Sequence, residues 1–159
     1  MAAAAWRAEP HEAETVARLL VQFRDHMGRD WPSPNAFLAG VERLIERPDT
    51  EFLLGSPDED SPPAGVCQLR FRYGLWLAAE DCWLEDLFVA ESARGKGLGA
   101  ALVAAAIAQA RERGCRRVEL DVSDGNPAAL ALYERFGFAT GKEPGTRDLL
   151  MRLRLDDSP

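Results

Sequence analysis

Residues 81–99 read Asp-Cys-Trp-Leu-Glu-Asp-Leu-Phe-Val-Ala-Glu-Ser-Ala-Arg-Gly-Lys-Gly-Leu-Gly. An apolar strand pattern beginning at Cys82 runs into a basic glycine loop, and Leu98 opens a long helical pattern. Gly95, Gly97 and Gly99 put backbone without side chains beside two cations, Arg94 and Lys96, so N–H groups there can approach a ligand closely. A helix N-terminus adds unpaired N–H groups and about half a positive charge. The stretch therefore reads as a place to hold a phosphate or pyrophosphate. It is not a magnesium-binding phosphate loop, because Gly97 stands after Lys96 where that loop needs Ser or Thr. Nor do glycines at 95, 97 and 99 fit the Gly-x-Gly-x-x-Gly dinucleotide fingerprint.

Outward from this stretch, the spacing predicts a helix from Leu98 to Gly114, with Leu102, Val103, Ala106, Ile107 and Ala110 as its apolar stripe and Gly114 as its stop. Val118–Val122 then reads as a strand, and a strand-helix-strand crossover implies a parallel pair. Upstream, residues 5–9 read as a first strand, His11 to about Met27 and Asn35–Ile45 as helices, and Glu51–Leu54 and Gly65–Tyr73 as strands. Ser33 is a candidate N-cap with Pro34 in the first turn. The polar, proline-rich run Gly55–Pro63 reads as a hairpin tip. Trp76 and Trp83 read as core residues, with a place lining a site as the alternative. Downstream, Asn126–Phe136 reads as a helix, Phe138–Thr140 and Asp148–Leu155 as closing strands, and Asp156–Pro159 as a frayed end. Neither a repeat nor a second domain is visible, so residues 1–159 read as a single domain, long enough to bury its own core.

Two blocks carry a resemblance. Arg94, Gly97 and Gly99 match the Arg/Gln-x-x-Gly-x-Gly/Ala loop of the GNAT superfamily of N-acetyltransferases. The run from Asn126 to Phe138, with Ala129, Leu132, Tyr133 and Gly137 between, is similar to its later motif Asn-x-x-Ala-x-x-Leu-Tyr-x-x-x-Gly-Phe. The likeness covers about residues 82–140; the first 50 residues match only in general character. It implies an α+β fold with a mixed sheet of about seven mostly antiparallel strands, a parallel central pair and about four helices. It also implies acetyl-CoA as co-substrate, no metal, and an amine as acceptor. Homodimers are common in the family, but no feature of the sequence demands one.

On that resemblance, acetyl-CoA binding falls to Arg94, Gly95, Lys96, Gly97, Leu98 and Gly99, to the backbone of Leu87, Phe88 and Val89, and to Asn126, which is at minimum an N-cap. A bulge near Leu87–Val89 would supply N–H donors for the oxyanion. Tyr133 matches the tyrosine that protonates the departing thiolate; a phenol near pKa 10 can do so only slightly uphill. Glu85 is the candidate proton acceptor, since a similar Leu-Glu-Asp-x-Phe-Val run places this residue by the acceptor in the polyamine-acetylating branch. Asp86 or a water remains the alternative. Strict alternation puts Glu85, Leu87 and Val89 on one face and Asp86 and Phe88 on the other. The two early helices would form part of the acceptor wall, with Phe23, His26, Trp31 and Phe37 as pocket candidates. A sensor that binds acetyl-CoA without turnover, a longer acyl group, and transfer to a protein N-terminus or lysine stay open.

Composition bounds the partners. With 26 acidic and 19 basic residues the formal charge is −7, which argues against nucleic acid. Basic residues gather locally at Arg94 and Lys96 and at Arg111, Arg113, Arg116 and Arg117, enough to draw an anionic cofactor onto an acidic chain. Cys67, Cys82 and Cys115 show no paired spacing, and His11 and His26 are the only histidines. Free thiols in a reducing compartment are expected, and no zinc site. No secretory signal or membrane-spanning run is read, so a cytoplasmic location is expected.

Overall fold

The computed structural model describes residues 2–157, and these divide between Leu120 and Asp121 into two compact units. The first contains strands β1 (Ala4–Arg7), β2 (Thr50–Ser56), β3 (Gly65–Gly74), β4 (Ala79–Val89) and β5 (Val118–Glu119), with helices α1 (Ala13–His26), α2 (Pro34–Ile45) and α3 (Leu98–Glu112). The strands lie in sequence order; every neighbouring pair is antiparallel except β4–β5, which is parallel. The expected α+β fold with a mixed sheet and four helices is present, the fourth helix being α4 (Pro127–Arg135) in the second unit.

Period-2 alternation sorts the sheet's side chains between two layers. On one face Phe52, Leu54, Val66 and Phe88 meet Val16, Leu19 and Leu20 of α1 and Val41 and Ile45 of α2. On the other Leu53, Cys67, Leu69, Phe71, Cys82 and Leu84 meet Leu98, Leu102, Ala106 and Ala110 of α3. The predicted caps hold: Ser33 Oγ accepts from Ala36 N at 3.1 Å, with Pro34 as the first residue of α2. Gly55 and Gly65, paired across β2 and β3, let α3 lie close to the sheet. A Cβ on Gly55 would come within 2.6 Å of Leu98 Cδ1, and one on Gly65 within 2.9 Å of Leu102 Cδ1.

Four expectations fail. The sheet has five strands rather than about seven. Among the described residues, neither Phe138–Thr140 nor Asp148–Leu155 is a strand, and Asp148 N to Thr140 O, 2.7 Å, links the two segments. The alternation of Leu149, Met151, Leu153 and Leu155 suits a buried face, but a strand also needs a ladder partner; without one these side chains stand exposed. Trp76 is not core: it sits in the turn between β3 and β4 and is fully exposed. Finally, β5 ends at Glu119 rather than Val122. The fraying expected of the last two residues lies outside the described residues.

Sequence reading also missed a buried ionic cluster. Glu51, 2% exposed, faces α3 and accepts from Gln109 Nε2 and Arg113 Nη1, both at 3.1 Å, with Arg7 Nε 3.7 Å from its other oxygen. Arg113 also reaches Glu80 at 3.2 Å and lies 3.7 Å over the Phe71 ring. The end of α3 is thus tied to the sheet by a charge that burial would otherwise penalise.

Candidate functional site

The site grows from a bulge in β4. Gln68 pairs with Glu85 and Val66 with Phe88, so Cys67 stands opposite both Asp86 and Leu87. Asp86 absorbs the extra residue in the left-handed region, at φ +58°, which Asp tolerates better than most side chains. The inserted residue reverses the parity of the strand. Cys82 and Leu84 face α3 before it and Leu87 and Val89 after it, while Glu85 and Phe88 face α1 and α2. The expected sharing of a face by Glu85, Leu87 and Val89 is therefore wrong, because strict alternation cannot see a bulge.

The bulge also redirects backbone. Cys82 N donates to Arg117 O (2.9 Å) toward β5, whereas Ala90 N donates to Ala64 O (2.8 Å) toward β3. Antiparallel alternation from Ala90 turns the N–H groups of Leu87 and Val89 away from β3, toward the β5 side. Among the described residues β5 pairs only with Cys82 and Trp83, so these two donors lie beyond the paired stretch. They are a candidate oxyanion hole.

The glycine loop follows directly. Arg94 Nε donates to Val89 O at 3.1 Å, anchoring the loop to the end of β4. Gly95 (φ +75°) and Gly97 (φ +81°) occupy left-handed conformations that cost other residues energy, and no atom lies within 4 Å of the Cβ either would carry. Ala101 N to Gly97 O, 3.0 Å, closes the first turn of α3, so the amides of Leu98, Gly99 and Ala100 precede the first intrahelical bond. Leu98 itself is buried at 1%, so its side chain anchors the helix and only its amide is offered. Exposed Lys96 adds charge at the helix entrance.

On the opposite face of β4 lie the acceptor-wall candidates. Phe23 stacks on Phe88 with ring centroids 5.1 Å apart, and exposed His26 lies 6.1 Å from the same ring. Phe37 packs against the core of that layer, while Trp31 is largely exposed. Glu85 Oε2 accepts from Arg70 Nε at 3.1 Å, and its side chain is 30% exposed. Gln68, its cross-strand neighbour, is buried, and its Nε2 has no partner among the described residues. Arg70 and Gln68 carried no signal in the sequence beyond strand alternation; only the register places them beside Glu85.

Tyr133 and Asn126 belong to the second unit. Tyr133 is buried on α4, edge-on to Phe138 at 5.8 Å. Asn126 Oδ1 accepts from Ala129 N at 3.2 Å and caps α4. The three cysteines are free thiols. Burial pushes Cys67 well above the usual thiol range and Cys82 up to about 12, which keeps both thiols protonated at neutral pH. Among the described residues no group of three or more His, Cys, Asp or Glu could hold a metal, and no helix is long and apolar enough to cross a membrane.

Residues 15–138 match the model of the acetyltransferase (GNAT) family. The L-ornithine N5-acetyltransferase NATA1 of Arabidopsis thaliana is 37% identical over 103 residues, 65% of this chain and 45% of the relative. A Bacillus subtilis (strain 168) protein ascribed to the [ribosomal protein bS18]-alanine N-acetyltransferases is 30% identical over 98 residues, 62% of this chain and 60% of the relative. The matches thus span about half the length of these curated relatives. Among solved structures, an Arthrobacter sp. FB24 protein ascribed to the acetyltransferases superposes with a TM-score of 0.83 at 31% identity, over 94% of each chain.

Proposed function

Because the chain belongs to the acetyltransferase (GNAT) family, we propose that it moves the acetyl group of acetyl-CoA to an amine of a small molecule or peptide, by direct attack within a ternary complex. The observation that carries this reading is the continuity of two devices on one stretch of chain. The bulge at Asp86 aims the Leu87 and Val89 amides toward the β5 side, and six residues after Val89 the left-handed glycines begin to shape the entrance to α3. One device suits a carbonyl oxygen that becomes anionic, the other a pyrophosphate; acetyl-CoA carries both groups.

A lysine-like amine of pKa ~10.4 is neutral in only about one molecule per few thousand at pH 7. Glu85, on the acceptor-wall face, attracts the ammonium form and takes its proton, directly or through a water, as nitrogen attacks the thioester carbon. Amides at Leu87 and Val89 hold the oxyanion. When the intermediate collapses the C–S bond breaks, and Tyr133 returns a proton to the thiolate. Its place in the Asn126–Phe138 motif supports this role. Arg94, Gly95, Lys96, Gly97, Leu98 and Gly99 hold the phosphates through amides and charge, with Phe88 and Asn126 completing the cofactor contacts. No metal enters the reaction. The relatives' names specify a side-chain amine in one case and an alanine in the other, so transfer to a protein N-terminus is the second reading.

Tyr133→Phe tests the mechanism. It should leave the acetyl-CoA Kd within about twofold while lowering kcat by the ~10²–10⁴ typical of a lost acid catalyst. Unchanged kcat would remove Tyr133 from the reaction.

A further inference from the structure

We infer that the acceptor carries a carboxylate besides its amine, and that Arg43 and Arg70 hold it in a cavity beside Glu85. This rests on the acetyltransferase reading and names the chemical class of its acceptor. The cavity, about 450 Å³, lies where the last turn of α2 and the turn before β2 meet β3. Arg43, Arg47, Arg70 and Arg72 line it, with Leu44 and Phe71 supplying apolar wall. Four guanidinium groups thus meet at one cavity on a chain whose net charge is −7.

Pairing shows how much of that charge remains for a ligand. Arg47 is neutralised by Asp49, which also lines the cavity, through Nε and Nη2 at 3.0 Å each. Arg72 is held by Asp81 at 3.1 Å and lies 3.7 Å from Glu119. Arg43 has no hydrogen-bond or ion-pair partner among the described residues, and Arg70 uses only Nε, on Glu85. One whole positive charge and part of another are left, which matches a monoanionic carboxylate better than a phosphate near charge −2. Guanidinium also suits a carboxylate geometrically, through paired N–H donors.

Arg70 connects the cavity to the chemistry. Its guanidinium lines the cavity while its Nε touches the carboxylate proposed to receive the amine's proton. An acceptor carboxylate bound to the free Nη groups would leave its own amine within reach of Glu85, with one guanidinium between the two ends. An amino acid with a side-chain amine has that form; a plain diamine lacks the group that the arginines would read.

The test is calorimetric binding to the enzyme with CoA present, so that it does not depend on turnover. L-Lysine is compared with its decarboxylated form, 1,5-diaminopentane, and 4-aminobutyrate with 3-aminopropyl phosphate. Lysine should bind at least tenfold tighter than the diamine, and 4-aminobutyrate tighter than the phosphate. In Arg43→Ala, which changes an exposed side chain on α2, the lysine-to-diamine ratio should fall toward one; Arg43→Lys should restore part of it. Equal binding of lysine and diamine, no binding of lysine, preference for the phosphate, or a ratio unaltered in Arg43→Ala would each overturn the inference. Thiol release on amines without this discrimination would do so while leaving the acetyltransferase reading intact.

Discussion

Gly97→Ala separates the loop's role in binding from its role in folding. Gly97 lies at φ +81° and ψ 8°, so an alanine there pays the left-handed penalty of about 1–2 kcal/mol for an L-residue. No steric cost is added, because no atom lies within 4 Å of the new Cβ. For a chain of this size the loss corresponds to roughly 2–8 °C in Tm. The new methyl would, however, occupy the space through which a phosphate approaches the backbone at the entrance to α3. Acetyl-CoA affinity should therefore fall at least tenfold, about 1.4 kcal/mol, measured by calorimetry well below the variant's Tm. A Tm loss in the expected range with Kd within twofold of wild type would refute the claim that the loop backbone holds the phosphates. An unchanged Tm would refute the left-handed conformation of Gly97.

Further outcomes follow from other parts of the molecule. Arg113→Met takes the nearest cation from the Glu51 carboxylate, 2% exposed, leaving it Gln109 and the more distant Arg7, and should cost up to about 3–5 kcal/mol in urea unfolding, whereas the double change with Glu51→Leu should recover most of it; a loss below about 1 kcal/mol for the single change would class the pair with surface bridges. Glu85→Gln should lower kcat/KM and flatten the acid limb of its pH profile without altering the acetyl-CoA Kd, and an identical profile would release Glu85 from the base role. Cys82 is raised from 9.0 to about 12 in the folded chain, and Cys67 is raised further. The folded state thus keeps protons that the unfolded state loses above pH 9, so this contribution is full below pH 9 and fades as pH climbs toward 12. Stability should decline there by up to ~1.4 kcal/mol per pH unit per thiol. A Cys67→Ala, Cys82→Ala double variant should lack that share of the slope; an identical slope would contradict the assignment.

Most of the fold was legible because its determinants are local. The apolar stripe of α3, Ser33 with Pro34 at the start of α2, and the run of apolar residues through Gly65–Tyr73 each follow from one element taken alone. What alternation could not show was the bulge. Asp86 in a left-handed conformation carries no signal stronger than two adjacent acids in an apolar strand, yet it moves Glu85 to the face opposite Leu87 and Val89. The closing strands failed for a related reason. The pattern of Leu149, Met151, Leu153 and Leu155 declares a face but does not supply a partner. The loop at Arg94–Gly99 was readable in type, because glycine at a positive φ is a local requirement. Arg43 and Arg70 were invisible as a pair, since only the meeting of α2 with β3 brings them to one cavity.

The most direct test of the central claim is a single preparation assayed for acetyl-CoA binding by calorimetry and then for thiol release with a panel of amines. The account predicts saturable binding and release of one thiol per acetylated amine on at least one member of the panel. Absence of acetyl-CoA binding by the folded protein, or binding with no thiol release on any amine, would contradict it.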